Sequence, residues 1–372
     1  MIYFDNAATT LPIYTSKTLY NPSSPHALGI EAERALRNAR KTIASALCLT
    51  GKSSDLPAKT LSKINHIPAA DEIIFTSGGT ESNNLAILGF SLANQRHNTN
   101  LISSPHEHPS VLAPIYFACE RGWAFTDDTN KGATLVSVSH VNHETGDIND
   151  LGSISAKIKK DNPSAVIHVD GAQGFCKENI NLEDIDMYSF SGHKCHGPMG
   201  VGGLWVKKGI RLTPLQYGGG QENNRRSGTE NIAAIVQMAE AAEYMSQRLL
   251  VNHTHITEIK AILLSLRDNL PDVYVNTLGG EVSPYILNMS FIGVKGEILV
   301  HALSEMGVYV SMGAACHSRK RVQSALEIMG FSPEIAQSAI RFSFSPHNTL
   351  EEATQARDMI IDAVTRLRNV IR

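Results

Sequence analysis

Two residues of this chain, Lys194 and Asp170, have side chains and settings suited to covalent chemistry. Lys194 lies in the run Ser191-Gly192-His193-Lys194, and Asp170 lies upstream in the strand-like segment 167–173. A lysine that can be desolvated can form a Schiff base with an aldehyde, and a buried carboxylate can keep a pyridine nitrogen protonated. Either residue alone is more often a solvated loop lysine or an aspartate that forms a turn or caps a helix. Together they predict a pyridoxal phosphate site.

Both residues follow apolar runs that predict β-strands. Asp170 ends the run 165–169, and Lys194 follows the run 185–190. Ligands of open α/β sheets bind outside the carboxyl ends of the strands. We therefore expect both residues at strand ends where a ligand binds.

A phosphate-binding segment is predicted at 76–82, where the strand-like run 72–75 passes through small residues into a helical pattern that begins at Asn83. The first amides of a helix have no partner within the helix and bind anions. The amides of Gly78, Gly79 and Thr80, with the Thr80 hydroxyl, would hold phosphate oxygens. A Ser-Gly-Gly-Thr run alone is usually an ordinary turn, but its place at a strand-to-helix junction favours this interpretation.

Helical patterns alternate with short apolar runs along most of the chain, which predicts a doubly wound, mostly parallel α/β sheet. From about Asn252 the pattern changes to strands near 273–275 and 286–291 and to helices at 297–306 and 350–370. We interpret this part as a smaller α+β domain. The predicted division is a large domain at 13–251 and a small domain formed by 1–12 and 252–372.

Composition is compatible with a two-domain enzyme. The chain has 372 residues, 42% of them hydrophobic, and a formal net charge of -3, so it can bury a large core and has no nucleic-acid or membrane signature. We find no signal peptide and no apolar stretch long enough to span a bilayer. The five cysteines are scattered and do not form a disulfide framework. This predicts that the protein is located in the reducing cytoplasm.

Many short motifs occur in one order over almost the whole chain. They are DNAATT at 5–10, NPSSPH at 21–26, TSGGTESNN at 76–84, EH at 107–108, ETG at 144–146, HVDGAQ at 168–173, SGHKCHGP at 191–198, GGQE at 219–222, RSGTEN at 226–231, GAAC at 313–316 and IRFS at 340–343. With these motifs the chain resembles the cysteine desulfurases, homodimeric fold type I pyridoxal phosphate enzymes of the class V aminotransferase group. The resemblance implies a shared fold, L-cysteine as substrate, and a homodimer.

The resemblance also implies roles at the cofactor. Lys194 would form the Schiff base, Asp170 would face the pyridine nitrogen, Gln173 would contact the ring hydroxyl, and His108 would stack on the ring. The residues assigned to the phosphate are Gly79, Thr80, Ser191, His193 and, in the site of the neighbouring subunit, Thr229.

Cys316 decides the reaction that the resemblance implies. Small residues precede it and the basic stretch His317-Ser318-Arg319-Lys320-Arg321 follows it, as expected of an exposed loop. Nearby basic residues favour the nucleophilic thiolate. In the family, the cysteine at this position takes the sulfur of L-cysteine as a persulfide, L-alanine remains, and the sulfur passes to an acceptor such as an iron–sulfur scaffold or a tRNA thiolation protein. For the other cysteines we expect small buried side chains.

Two residues are assigned to the substrate carboxylate. The resemblance implies that Arg341 holds it, which suits a planar guanidinium. The family usually has an asparagine where this chain has His143, in Asn142-His143-Glu144. Histidine still donates a hydrogen bond, but it is bulkier and titrates near neutrality. Substrate choice or rate is therefore expected to differ.

Other interpretations remain open from the sequence. The chain could be a selenocysteine lyase or an aminotransferase of the same fold, although a transaminase would not need Cys316. It could also be a catalytically weakened subunit that binds the cofactor and docks a sulfur-transfer partner. No metal is expected, because the spacing of His193, Cys195 and His196 does not match zinc sites. A shortened segment at 12–21 and an insertion at 51–69 are expected to be peripheral.

Overall fold

The computed structural model describes residues 1–10, 12–13, 20–48, 68–95, 100–128, 134–312 and 324–371. The chain divides into two compact units. The sheet unit comprises Leu11–His140 and Asn149–Leu249, and the terminal unit comprises Met1–Thr10, Val141–Ile148 and Leu250–Arg372. The domain bounds at 12/13 and 251/252 stay a prediction. No sequence pattern indicated that Val141–Ile148 would group with the two ends of the chain.

Twelve strands are present in the described residues. They are β1 (Ile2–Tyr3), β2 (Ile73–Thr76), β3 (Asn100–Ile102), β4 (Ala124–Thr126), β5 (Leu135–Ser139), β6 (Val166–Asp170), β7 (Met187–Ser191), β8 (Gly202–Val206), β9 (Val273–Val275), β10 (Ile286–Phe291), β11 (Val308–Tyr309) and β12 (Ala339–Ser343).

The sheet unit contains a seven-stranded sheet in the order β2-β8-β7-β6-β5-β3-β4. β8 runs antiparallel to its neighbours β2 and β7, and the other adjacent pairs are parallel. Every residue of β6 and β7 is buried. Parallel sheets are covered on both faces, so the side chains of their strands are apolar or have their hydrogen bonds satisfied. The mostly parallel α/β sheet predicted from the sequence is confirmed.

Apart from the irregular single turn Gln221–Asn224, the described α-helices are α1 (Ala27–Ala46), α2 (Gly79–Asn84), α3 (Phe90–Ala93), α4 (Pro109–Cys119), α5 (Leu151–Asp161), α6 (Ile232–Gln247), α7 (Leu249–Leu264), α8 (Leu266–Asn269), α9 (Gly296–Glu305), α10 (Ala325–Ile328), α11 (Pro333–Gln337) and α12 (Leu350–Ile371). A π-helical turn, Leu85–Gly89, joins α2 to α3, so the chain is helical from Gly79 to Ala93. None of these helices combines the length and apolar character that crossing a membrane requires.

Each unit has its own hydrophobic core. In the sheet unit, α1 packs along α6, and Ile43 and Met238 lie in the same cluster as strand residues such as Ile167. In the terminal unit, β12, β10 and β9 form an antiparallel sheet and β1 pairs with β11 in parallel. α12 covers this core with a stripe at helical spacing, formed by Ala353, Ala356, Ile360, Ala363 and Val364.

Candidate active site

The carboxyl ends of β6 and β7 bring the two chemically suited residues to one edge of the sheet. Asp170 is the last residue of β6, and β7 ends at Ser191. The two strands are parallel neighbours, with Asp170 opposite Ser189. Lys194 follows in the 3₁₀ turn Gly192–Lys194. This is the edge at which α/β sheets bind ligands.

Asp170 is buried and held in one orientation. Its Oδ1 accepts a hydrogen bond of 3.0 Å from the Ala172 amide, and its Oδ2 accepts one of 2.9 Å from Asn83 Nδ2. A Cβ on Gly171 would lie 2.0 Å from the Tyr188 ring, so only glycine allows the chain to turn there. The carboxylate therefore has a fixed direction, as a partner for a protonated ring nitrogen requires.

A glycine-lined cradle lies beside this edge, where β2 passes through Ser77 and Gly78 into α2. A Cβ on Gly79 would lie 3.4 Å from the Cβ of Ser191. A Cβ on Gly202 of β8 would lie only 2.7 Å from the Cα of Gly78, so β8 needs glycine to let the cradle approach. Thr80 is exposed at the start of the helix. The cradle offers helix amides and hydroxyls to an anion.

Glu81 brings a negative charge into the first turn of α2. Its Oε1 lies 2.8 Å from Arg226 Nε, and its Oε2 accepts a 2.7 Å hydrogen bond from the Ser77 amide. Burial alone would raise the pKa of Glu81, but these hydrogen bonds outweigh it and lower the pKa. Arg226 therefore balances the charge of Glu81 near the cradle. The segment that begins at Arg226 continues to Thr229, which is exposed.

His193 and Gln173 lie on the two loops that follow the strands. The Oγ of Ser191 lies 3.4 Å from His193 Nδ1. Burial, with the nearby charges of Lys194 and Lys177, lowers the pKa of His193 to about 4. Lys177 Nζ donates to Gln173 Oε1 at 3.3 Å, which orients the amide so that its nitrogen faces away from Lys177. Lys177, which is only 2% exposed, was not among the site residues predicted from the sequence.

Two more buried groups adjoin Asp170. Burial, with the charge of Asp170, raises the pKa of Glu107 to about 7, even though its Oε1 accepts hydrogen bonds from the Ser139 amide and hydroxyl. His168 lies between the hydroxyls of Ser137 and Ser189, at 2.8 and 2.9 Å. Burial lowers its pKa to about 4. His168 is therefore a neutral member of the sheet's core.

The two residues assigned to the substrate carboxylate lie in the terminal unit. Arg341, on β12, donates from its NH1 nitrogen to the His143 backbone oxygen at 2.8 Å. Its NH2 nitrogen lies 3.4 Å from Asp5 Oδ1, and NH1 lies 3.8 Å from Glu144 Oε1. Its Nε is buried and has no hydrogen-bond partner among the described residues. His143 Nε2 lies 3.6 Å from Glu144 Oε1.

The cysteines differ in setting. Cys176 and Cys195 are buried in the sheet unit, and Cys48 and Cys119 are partly buried. Cys195 Sγ contacts the Gly192 backbone oxygen at 3.4 Å, so it packs beneath the turn that carries Lys194. Cys316 lies outside the described residues, as does most of the predicted insertion at 51–69 and most of the segment at 12–21.

Comparison with known proteins identifies the family. The model of the class-V aminotransferase family matches residues 58–355. A cysteine desulfurase, IscS, from Dictyoglomus turgidum is 33% identical over 99% of this chain and 96% of its own length. The chain belongs to the cysteine desulfurases of the class-V aminotransferase family. A NifS/IcsS homologue of Lactobacillus delbrueckii subsp. bulgaricus is 37% identical, over 95% of both chains.

The fold of this cysteine desulfurase family member agrees with its sequence. A solved NifS-like protein superposes with a TM-score of 0.86 at 30% identity, covering 98% of this chain and 99% of its own. The family and fold type I architecture expected from the motifs are therefore confirmed.

Proposed function

We propose that this protein is a pyridoxal phosphate-dependent cysteine desulfurase that converts L-cysteine to L-alanine and transfers the sulfur to Cys316. The observation that carries the proposal is the edge of the sheet where Asp170 ends β6 and Lys194 follows the adjacent parallel strand β7, beside a glycine cradle. Relatives named cysteine desulfurase, similar over nearly the full chain, support the choice of reaction.

The side chains at this edge fit pyridoxal phosphate. Gly79, at the start of α2, lies beside Ser191, so helix amides and a hydroxyl are together there, which suits a phosphate. The oriented carboxylate of Asp170 suits a ring nitrogen. When bound, the cofactor supplies an aldehyde that reacts with amines and a ring that draws electrons from the substrate Cα.

The residues of the sheet unit that are assigned to the cofactor would then have separate roles. Lys194 would supply the amine, Asp170 would accept the pyridine N–H, and Gln173 would donate its amide to the ring hydroxyl. His108 would cover the ring. The phosphate group would be held by Gly79, Thr80, Ser191 and His193, and by Thr229 of a second copy in a homodimer.

In the terminal unit, Arg341 would hold the substrate carboxylate. Its contact with Asp5, at 3.4 Å, is longer than an ordinary charge-assisted hydrogen bond, so a substrate carboxylate can replace it. The Cys316 thiolate then attacks the substrate sulfur. An S–S bond forms, the Cβ–S bond breaks, and the carbon takes up a proton, so that cysteine and a thiol become alanine and a persulfide.

The proposal is tested by adding L-cysteine to the purified holoenzyme with a thiol reductant. We expect equal amounts of alanine and sulfide. An aminotransferase would instead need a keto acid and would release no sulfide, and a weakened binding subunit would give neither product. A selenocysteine lyase would turn over selenocysteine but leave cysteine unchanged.

We propose the cytoplasm as the location, and an iron–sulfur scaffold or a tRNA thiolation protein as the sulfur acceptor.

The His143→Ala variant should bind substrate more weakly. If His143 donates a hydrogen bond to the substrate carboxylate beside Arg341, its loss removes about 1.5–3 kcal/mol, which is roughly a tenfold or greater rise in the Michaelis constant for cysteine. Cofactor binding should not change. His143→Asn should retain the donor and most of the affinity.

The matched control for this prediction is His301→Ala, which removes an exposed histidine of α9 in the same unit. An unchanged Michaelis constant in His143→Ala would show that His143 only fills space beside Glu144.

A further inference from the structure

A continuous chain of hydrogen bonds joins Asp170 to His108. Asn83 Nδ2 donates to Asp170 Oδ2 at 2.9 Å and to Ser110 Oγ at 2.9 Å. Ser110 Oγ in turn lies 2.7 Å from His108 Nδ1. Asn83 is 1% exposed and Ser110 is 9% exposed, whereas the His108 ring is exposed at the site. Two buried polar side chains therefore connect the two residues expected at opposite parts of the cofactor.

The donors in this chain have one consistent direction. The Asn83 nitrogen carries two hydrogens, and its two contacts use both. If the amide were turned over, its oxygen would face the Asp170 carboxylate, and two acceptors would repel each other. This orientation leaves Asn83 Oδ1 without a hydrogen-bond partner among the described residues. Because Ser110 Oγ accepts from Asn83, its own hydrogen is available to the imidazole.

The imidazole of His108 receives two donors at the same nitrogen. The Ser110 backbone N–H, which can only donate, points at His108 Nδ1 with an N···N distance of 3.1 Å. The Ser110 hydroxyl is the second donor. A proton on Nδ1 would face both of them, so Nδ1 is the unprotonated nitrogen. In a neutral imidazole the ring proton is then on Nε2.

We propose that Asn83 and Ser110 are positioning residues that hold His108 as a neutral imidazole protonated only at Nε2. His108 then gives the substrate site a hydrogen-bond donor and does not act as a base. This inference rests on the proposed function for the identity of the substrate. Proton exchange with the substrate falls to another group, and the Lys194 amine is the candidate.

The test is the ¹⁵N spectrum of the histidine rings in the labelled holoenzyme. The chain has 15 histidines, so the His108 signals are assigned by their loss in His108→Gln. We expect Nδ1 at the shift of an unprotonated nitrogen and Nε2 at that of a protonated one, throughout the pH range of activity. A protonated Nδ1 in that range would overturn the proposal.

Ser110 variants test the hydrogen-bond path from Asp170 to His108. Ser110→Ala removes the hydroxyl donor, so the Nδ1 shift should move towards the protonated value and kcat should fall about two- to tenfold. Ser110→Thr keeps the hydroxyl and should restore both. An Nδ1 shift that is the same in all three proteins would show that Ser110 does not control the ring.

Two His108 variants separate a donor from a base. Glutamine can donate a hydrogen bond but cannot take up a proton, so His108→Gln should be about tenfold more active than His108→Ala. Equal loss in both variants would mean that hydrogen-bond donation by His108 does not contribute to turnover and would overturn the proposal. If the parent protein does not turn over cysteine, the proposed function fails, while the ring spectrum still decides the state of His108.

Discussion

The Lys194→Ala variant should lose turnover by about three orders of magnitude or more, which is the scale on which a positioned acid–base group contributes. It should also lose the visible absorption band that the cofactor shows when it is bound to a lysine amine. Lys194 is the reason for both effects, because it is the lysine placed directly after β7 at the carboxyl edge of the sheet. Absorbance spectra and alanine assays on the purified variant measure them.

Lys177 is the rival for this role, since it is buried in the same unit and its Nζ lies 3.3 Å from Gln173 Oε1. Lys177→Gln is therefore the matched control. We expect it to keep the visible band and to lose only part of its cofactor affinity. Reduction of the parent holoenzyme with borohydride should label one peptide, that of Lys194. A label on Lys177 would move the covalent chemistry to that residue.

The strands that carry the site were predictable from sequence because both of their faces are buried. The runs 165–169 and 185–190 are mostly apolar, and the structure places β6 and β7 within one or two residues of them. β3 and β4, with three residues each, were not predicted. The antiparallel direction of β8 was also hidden, since direction depends on pairing and not on side-chain periodicity.

The start of the cradle helix shows a different limit. The apolar pattern predicted a helix from Asn83, but the structure begins it at Gly79. The first turn, Gly-Thr-Glu-Ser, contains no apolar residue: Thr80 is exposed, Glu81 pairs with Arg226, and Ser82 is buried with its hydroxyl 2.8 Å from that of Thr76. Functional segments break local rules in this way, so the most useful part of the helix is the part that periodicity does not detect.

The polar network behind the site could not be predicted from spacing. Asn83, Ser110 and Asp170 are 27 and 60 positions apart, and only the packing of α2 and α4 against the sheet brings them together. Taken alone, Asn83 and Ser110 are ordinary polar residues near a helix start, and Asp170 is an ordinary strand-end carboxylate. Motifs identify the groups that contact a cofactor, whereas the groups that orient them depend on tertiary structure.

The Cys316→Ser variant should separate substrate activation from sulfur transfer. Serine cannot accept sulfur as a persulfide, so sulfide release should fall by about a hundredfold or more, since loss of a catalytic nucleophile can cost up to about 10⁶ in kcat. The variant should still bind the cofactor and change its absorbance when cysteine is added, because none of the sheet-unit groups is altered. Cys119→Ser is the matched control: burial raises the pKa of the Cys119 thiol, which leaves it a poor nucleophile, and activity should not change. Full sulfide production by Cys316→Ser would mean that the enzyme releases sulfur without a persulfide on this cysteine.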